Sequence, residues 1–360
     1  MPKTITTEKV SYNHPDKIAD SICDFVLGKM HNEDKLAKSS INALLYETPK
    51  AFNLILTGKI ESNADPLDVI SKDDICTFLN KRFNVNNEIK IFDHIDYEYR
   101  NDENIKKEGG YVMGFASNET NEHKALINDY AEKIQSGVSS VIENNNPILK
   151  TTVSLKKDGD DIKITNVDID IKFYYVMNTP KKTIIDKVNG TINDEHKDES
   201  TNINIKMSTY ALLDNGVSGR KLSSDMYGPC VPDNGGSPFG KDMSELDRGG
   251  KYLARYIAVN VVDIGKFDKA EVYLSYSQSQ WEPTSIYIKV YMFGHSEVVF
   301  ELPDYFYDNI RNIFPVDRRN MYDYFNEDRV IYDLSCSDQF SSKFLWERTD
   351  KSDELKNIKF

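Results

Sequence analysis

The sequence predicts an α+β protein made of three similar units, and three observations carry that reading. Apolar residues recur at helical spacing in three separate stretches. Alternating apolar and polar residues follow each one, and runs rich in Asn, Asp, Glu and Lys divide them. Residue identities show no repeat, so the equivalence of the units rests on pattern.

In the first unit, His14-Pro15-Asp16-Lys17 opens a helix with an apolar face of Ile18, Ile22, Phe25, Val26 and Met30. Proline has no amide hydrogen to lose in a first turn, and Asp16 meets the positive end of the helix dipole. A strand runs from Phe52 to Ile60. In the second unit, Ala125, Leu126, Tyr130, Ile134, Val138 and Val141 mark a helix. Val153 and Leu155 then alternate, Asp158-Gly159 turns the chain, and Ile162, Ile164, Ile169, Ile171 and Phe173 alternate back as a hairpin. The third unit begins near Asp247 with a helix through Leu253, Tyr256, Ile257 and Val261, followed by strands at Glu271–Tyr276 and Ile286–Tyr291. Asn101–Lys107 and Thr191–Asn202 read as loops. The expected domains are residues 1–105, 106–213 and 214–360, with the chain crossing between them.

Composition narrows the function. The 360 residues are 39% hydrophobic and 29% charged, and mean hydropathy is −0.55, as in a soluble folded chain. The balance of 45 basic against 58 acidic residues gives −13. That charge repels a nucleic-acid backbone but leaves room for a small anion on a local basic cluster. No stretch approaches the ~18 apolar residues of a membrane span. Met1-Pro2-Lys3-Thr4 lacks the apolar core of a signal peptide, and Cys23, Cys76, Cys230 and Cys336 show no CxxC spacing. A cytoplasmic location, with neither nucleic acid nor membrane as partner, is expected.

Two segments concentrate chemistry. At His14-Pro15-Asp16-Lys17 a histidine, a carboxylate and a lysine meet the unpaired N–H groups of a helix start. Such an end attracts phosphate, and its carboxylate suits a divalent cation; ordinary helix capping is the plainer alternative. The second runs from Asp214-Asn215-Gly216-Val217-Ser218-Gly219-Arg220-Lys221 through Gly235-Gly236-Ser237-Pro238-Phe239-Gly240-Lys241-Asp242 to Asp247-Arg248. Glycines allow close backbone approach, and Arg220, Lys221 and Lys241 supply cations for phosphate oxygens. Gly235 to Lys241 also satisfies GxxxxGK. Asp242 replaces the required hydroxyl, however, and the preceding segment is a turn, so a P-loop fits poorly. Glu47 and Glu108 read more simply as loop acids, and Tyr210 as a half-buried strand tyrosine.

Together these segments resemble S-adenosylmethionine synthetase. The motifs are Glu8 to Asp20, Gly114-Phe115-Ala116-Ser117-Asn118-Glu119-Thr120, Gly216 to Lys221, and Gly235 through Lys241-Asp242 to Asp247-Arg248. Glu282-Pro283-Thr284-Ser285 and Trp346 to Lys351 look like further signatures. The resemblance implies three pseudo-threefold α+β domains, each a sheet flanked by helices. It also implies a homodimer with active sites at the interface, or a dimer of dimers. The implied reaction joins methionine sulfur to the adenosyl carbon of ATP, expelling triphosphate that is cleaved to phosphate and diphosphate, with Mg²⁺ and K⁺ as cofactors. By resemblance, Asp16 and Asp247 hold Mg²⁺ and Glu47 lines the K⁺ site. His14, Lys150, Arg220 and Lys241 are catalytic, and with Lys221, Tyr210, Asp214 and Ser237 they bind ATP. Asp214, Lys59, Glu245 and Gln278 fall on the methionine side.

The methionine half departs from the family pattern. Lys59 stands where the family has an acid, Glu245 where it has a lysine, and Gln278 where it has an apolar residue. Ile148 replaces an acid and Glu108 an aspartate. The stretch between Tyr210 and Asp214 and the region Asn101–Lys107 are shortened, and Cys336 to Phe340 departs from the usual residues. Lys59 and Glu245 are therefore expected either to pair with each other or to bind the amino-acid zwitterion in exchanged roles. A catalytically weak nucleotide-binding partner or regulatory subunit, or an adenosyltransferase for a methionine relative, is the alternative.

Overall fold

A lone strand, a long helix and a hairpin recur three times along the chain. The computed structural model describes residues 3–85, 87–100, 108–142, 147–159, 161–174, 179–292, 298–326 and 338–358; the expected loop Asn101–Lys107 and Cys336 lie outside them. The first set is β1 (Lys3–Val10), α1 (Pro15–Glu33), β2 (Lys38–Glu47), β3 (Ala51–Ser62), α2 (Pro66–Val69), α3 (Lys72–Phe83) and β4 (Glu88–Tyr99). The second is β5 (Gly110–Ser117), α4 (Leu126–Val141), β6 (Ile148–Asp158), β7 (Asp161–Phe173), α5 (Lys181–Thr191) and β8 (Asn202–Thr209). The third is β9 (Gly216–Val217), α6 (Leu222–Asp225), α7 (Lys251–Asp263), β10 (Lys269–Tyr276), β11 (Ser285–Met292) and β12 (Val298–Glu301). It is followed by α8 (Asp304–Ile313), α9 (Arg318–Asn326) and α10 (Ser352–Lys356).

The strands form three four-stranded sheets, ordered β4-β3-β2-β9, β8-β7-β6-β1 and β12-β11-β10-β5. Each hairpin therefore borrows the lone strand of another set, which pairs antiparallel with its first strand. The exchange is cyclic: β1 joins the second set, β5 the third and β9 the first. A hairpin edge that would otherwise expose unpaired N–H and C=O groups is thus covered. β4 and β8 pair parallel to their neighbours, which requires the crossovers that carry α3 and α5. β12 pairs antiparallel, so no crossover is needed there. This is the α+β arrangement of three sheets flanked by helices that the sequence predicts.

Each long helix covers one sheet face. Ile18, Ile22, Val26 and Met30 of α1 pack among Ile41, Leu45, Leu54 and Leu56. In α4, Ile127, Tyr130, Ile134 and Val138 pack among Val153, Val167, Ile169 and Ile171. Each such side chain contributes about 1.5–3 kcal/mol on burial. Helix α7 is buried on every side from Lys251 to Val262, because β5, β10 and the segment around Trp346 enclose it. Tyr252 stacks on Trp346 with ring centroids 3.9 Å apart. Among the described residues no helix is long and apolar enough to cross a membrane, and Cys23, Cys76 and Cys230 are free thiols.

Candidate active site

Helix α1 organises the site through one face. Its N-cap is His14, whose Nδ1 accepts the Asp16 N–H at 3.2 Å, with Pro15 in the first turn. Asp16, Asp20 and Asp24, spaced four apart, point the same way. They accept backbone N–H groups from Val217 at 2.9 Å, Gly219 at 2.8 Å and Gly240 at 2.8 Å. Both glycine-rich loops are thereby docked on α1. The backbone donors are available because glycine lets the chain come close: a Cβ at Gly240 would meet the Cys23 Cβ at 2.7 Å.

Beside His14 two of the expected cations meet one carboxylate. The buried Asp16 carboxylate has Lys221 Nζ at 3.5 Å and Arg220 Nε at 3.8 Å. Lys150 Nζ lies 2.6 Å from Glu8 on the adjacent strand β1. Burial first, then the nearby Lys221 and Lys172 charges, push the His14 imidazole down to about 4, against the opposing pull of Asp16 and Glu8. His14 is thus neutral at pH 7. Because Nδ1 accepts from Asp16, its proton is assigned to Nε2, free to donate. Glu8 belongs to the first motif but had no role in the sequence reading; its period-two position facing β6 was the available signal.

Lys17, expected in the phosphate-facing group, is instead buried. Its ammonium pairs with Asp20 at 3.1 Å and Asp225 at 2.7 Å and sits 4.0 Å from the Phe239 ring centroid. The two carboxylates satisfy the buried charge, as a desolvated ammonium requires. Arg248 is likewise buried, 2.9 Å from Asp24.

The cations that look clustered in sequence divide between two carboxylates. Arg220 and Lys221 go to Asp16, whereas Lys241 pairs with Asp247. Asn234 also donates to Asp247, at 3.0 Å. Gly236 lies against that carboxylate, where a Cβ would fall 1.9 Å from Oδ1. Ser237 Oγ accepts the Phe239 N–H at 3.2 Å, and a Cβ on Gly219 would reach the Ser237 Cβ at 2.9 Å, so the two loops touch. Gly235 to Lys241 lies outside any helix or strand-to-helix turn, which removes the P-loop reading.

A third group lies near the end of β2. Glu47 Oε2 accepts the Leu213 N–H at 2.7 Å, and its other oxygen accepts from Asn87. Beside Leu213, the exposed Asp214 accepts the Asn215 N–H at 2.8 Å. Tyr210 meets Tyr174 edge-on, with centroids 5.6 Å apart. Its phenol is pushed up to about 12, by burial first and then by Glu47.

On the amino-acid side, Lys59 and Glu245 line one cavity with Lys38, Ser39, Ser40, Glu61 and Ser244. They do not pair with each other: Lys59 reaches Glu61 at 3.0 Å and Glu98 at 2.6 Å. Burial, then Asp242 and Glu108, push the Glu245 carboxyl up to about 8. Gln278 is exposed between β10 and β11, its Cγ beside Gly109.

Among the described residues no group of three or more His, Cys, Asp or Glu is placed to hold a metal ion. Asp16 and Asp247 each present one carboxylate among cations, and Gly236 leaves Asp247 room. That fits Mg²⁺, which binds through one or two carboxylates plus substrate phosphates. Glu47 is a clamp on Leu213 and Asn87, and its donor set alone does not make a K⁺ site.

The S-adenosylmethionine synthetase C-terminal domain family model matches residues 208–348. The chain is 27% identical to the S-adenosylmethionine synthase of Mycoplasmopsis synoviae (strain 53), over 99% of its own length and 98% of the relative's. It is 30% identical to the S-adenosylmethionine synthase of Borreliella afzelii (strain PKo), over 79% and 80%. In fold it is similar to the solved structure of an unusual S-adenosylmethionine synthetase from Campylobacter jejuni, with a TM-score of 0.82, 21% identity and 98% of both chains covered.

Proposed function

The chain belongs to the S-adenosylmethionine synthetase family, and on that premise we propose that it transfers the adenosyl group of ATP to methionine sulfur and cleaves the expelled triphosphate to phosphate and diphosphate. One observation carries the reading: Asp16, Arg220 and Lys221 meet at the start of α1 beside His14, with Lys150 reached through Glu8. A thioether sulfur is neutral and needs no general base. The barrier is therefore charge developing on the leaving group, together with alignment. Lys150, Arg220 and Lys221 hold the triphosphate oxygens, and Nε2 of neutral His14 donates to them. Lys241 serves the same tail from the Asp247 side. Magnesium, where bound, neutralises triphosphate charge; Asp16 and Asp247 are the carboxylates that would hold it. The backbone at Ser237 and the Tyr210 ring line the nucleotide.

The cavity with Lys59 at one wall and Glu245 at another takes the amino-acid head group. A homodimer that completes the site fits the first sheet. Val217, Leu44, Ile55 and Phe92 form one cross-strand row, where Leu44 and Phe92 remain 38% and 44% exposed. Light scattering tests that association. The activity is tested with ATP, Mg²⁺, K⁺ and methionine, following products by mass. S-adenosylmethionine with phosphate and diphosphate supports the proposal; nucleotide binding without it, or ADP release, overturns it.

A further inference from the structure

We infer that Lys172 is a further phosphate-binding side chain, joining Lys150 and Lys221 around His14 to take oxygens of the nucleotide's polyphosphate tail. The inference rests on the functional reading above and deepens it. Its geometry comes from how the loop before α1 is laced to β6. Ser11 donates its N–H to Leu149 O at 2.9 Å and its hydroxyl to Pro147 O at 3.3 Å, and it accepts the Leu149 N–H at 2.9 Å. His14 in turn donates its N–H to Ser11 O at 2.9 Å. His14 is thereby held against the first residues of β6.

In the β6–β7 ladder Ile148 lies opposite Lys172, and Lys150 opposite Asp170. Leu149, Ile169, Ile171 and Phe173 point into the core, so Lys150 and Lys172 share the outward face. They are diagonal neighbours there, roughly 7–8 Å apart at the backbone. Lys150 and Lys221 each have a carboxylate partner. Lys172, half-buried, makes no ion pair among the described residues. In a chain of net charge −13, a lysine without an ion pair, with Asp170 two positions away on its face and two more cations beside it, is a place for an anion.

Inorganic tripolyphosphate with MgCl2 is titrated calorimetrically into the full chain and into K172Q, K172R and K187Q. Lys187 is an exposed lysine on α5. Loss of one charge-assisted contact weakens binding about tenfold in K172Q, while K172R and K187Q bind as the unsubstituted chain does. In turnover K172Q raises KM for ATP. K172T, suited to a strand, replaces K172Q if thermal melting shows that variant misfolded. Equal binding by K172Q, or equal loss in K172R, overturns the inference. No tripolyphosphate binding by the unsubstituted chain overturns the functional reading beneath it.

Discussion

The buried Asp16 carboxylate accepts the Val217 N–H at 2.9 Å, tying the first turn of α1 to a strand 201 positions later. Asp20 and Asp24 repeat the contact with Gly219 and Gly240. One helix face therefore sets the positions of Arg220, Lys221 and Lys241, and the site is as rigid as the ion pairs beneath it.

Asp24 accepts from the fully buried Arg248 at 2.9 and 3.2 Å. Asp24→Asn removes the carboxylate charge from that buried pair. Urea unfolding is expected to show a loss of about 3–5 kcal/mol, with part recovered when Arg248→Met is added. A loss under about 1 kcal/mol would contradict the pairing.

Gly114 and Gly190 respond in opposite ways to alanine. A Cβ at Gly114 would sit 2.1 Å from the Ala254 carbonyl carbon, backbone against backbone, whereas nothing lies within 4 Å of a Cβ at Gly190. Gly114→Ala is expected to destabilise by at least about 2 kcal/mol, since neither β5 nor α7 can yield. Gly190→Ala in α5 gains about 0.5–1 kcal/mol from helix propensity. Thermal melts of the two variants check the sign.

Two groups give the stability a pH dependence of opposite sense. His14 falls from 6.5 to about 4 in the folded chain, so the unfolded chain takes up its proton first. Its contribution is complete above pH 6.5 and is lost as pH falls toward 4. Glu245 rises from 4.5 to about 8, so its contribution is complete below pH 4.5 and is lost as pH rises through 8. His14→Asn should flatten the acid side of a Tm-against-pH curve, and Glu245→Gln the alkaline side. Unchanged slopes would refute the assignments.

Lys59 and Glu245 share a cavity but not an ion pair. Lys59→Glu gathers three acids with Glu61 and Glu98, so it is the more damaging single reversal. In a double-mutant cycle with Glu245→Lys, stability coupling is expected below about 0.5 kcal/mol. Methionine KM is the second readout: if the double reversal were no better than the worse single one, the exchanged-role reading of the cavity would fall.

What the sequence alone determined is what short-range physics controls. The α1 start at His14-Pro15, the face of α4 and the turn at Asp158-Gly159 are written in propensity and period, and the residues that gather at His14 are legible as separate motifs. The cyclic exchange of β1, β5 and β9 is not. A two-residue strand such as Gly216–Val217 carries no period, and alternation reports that one face is buried without saying which strand lies alongside. Charge pairing was equally hidden. Lys17 reads as part of a phosphate-attracting helix start until Asp225, far along the chain, closes on it, and Arg220 and Lys241 read as one cluster until Asp16 and Asp247 separate them. Tertiary structure decided these points because an ion pair depends on distance in space, and local sequence fixes distance only over a few turns of backbone.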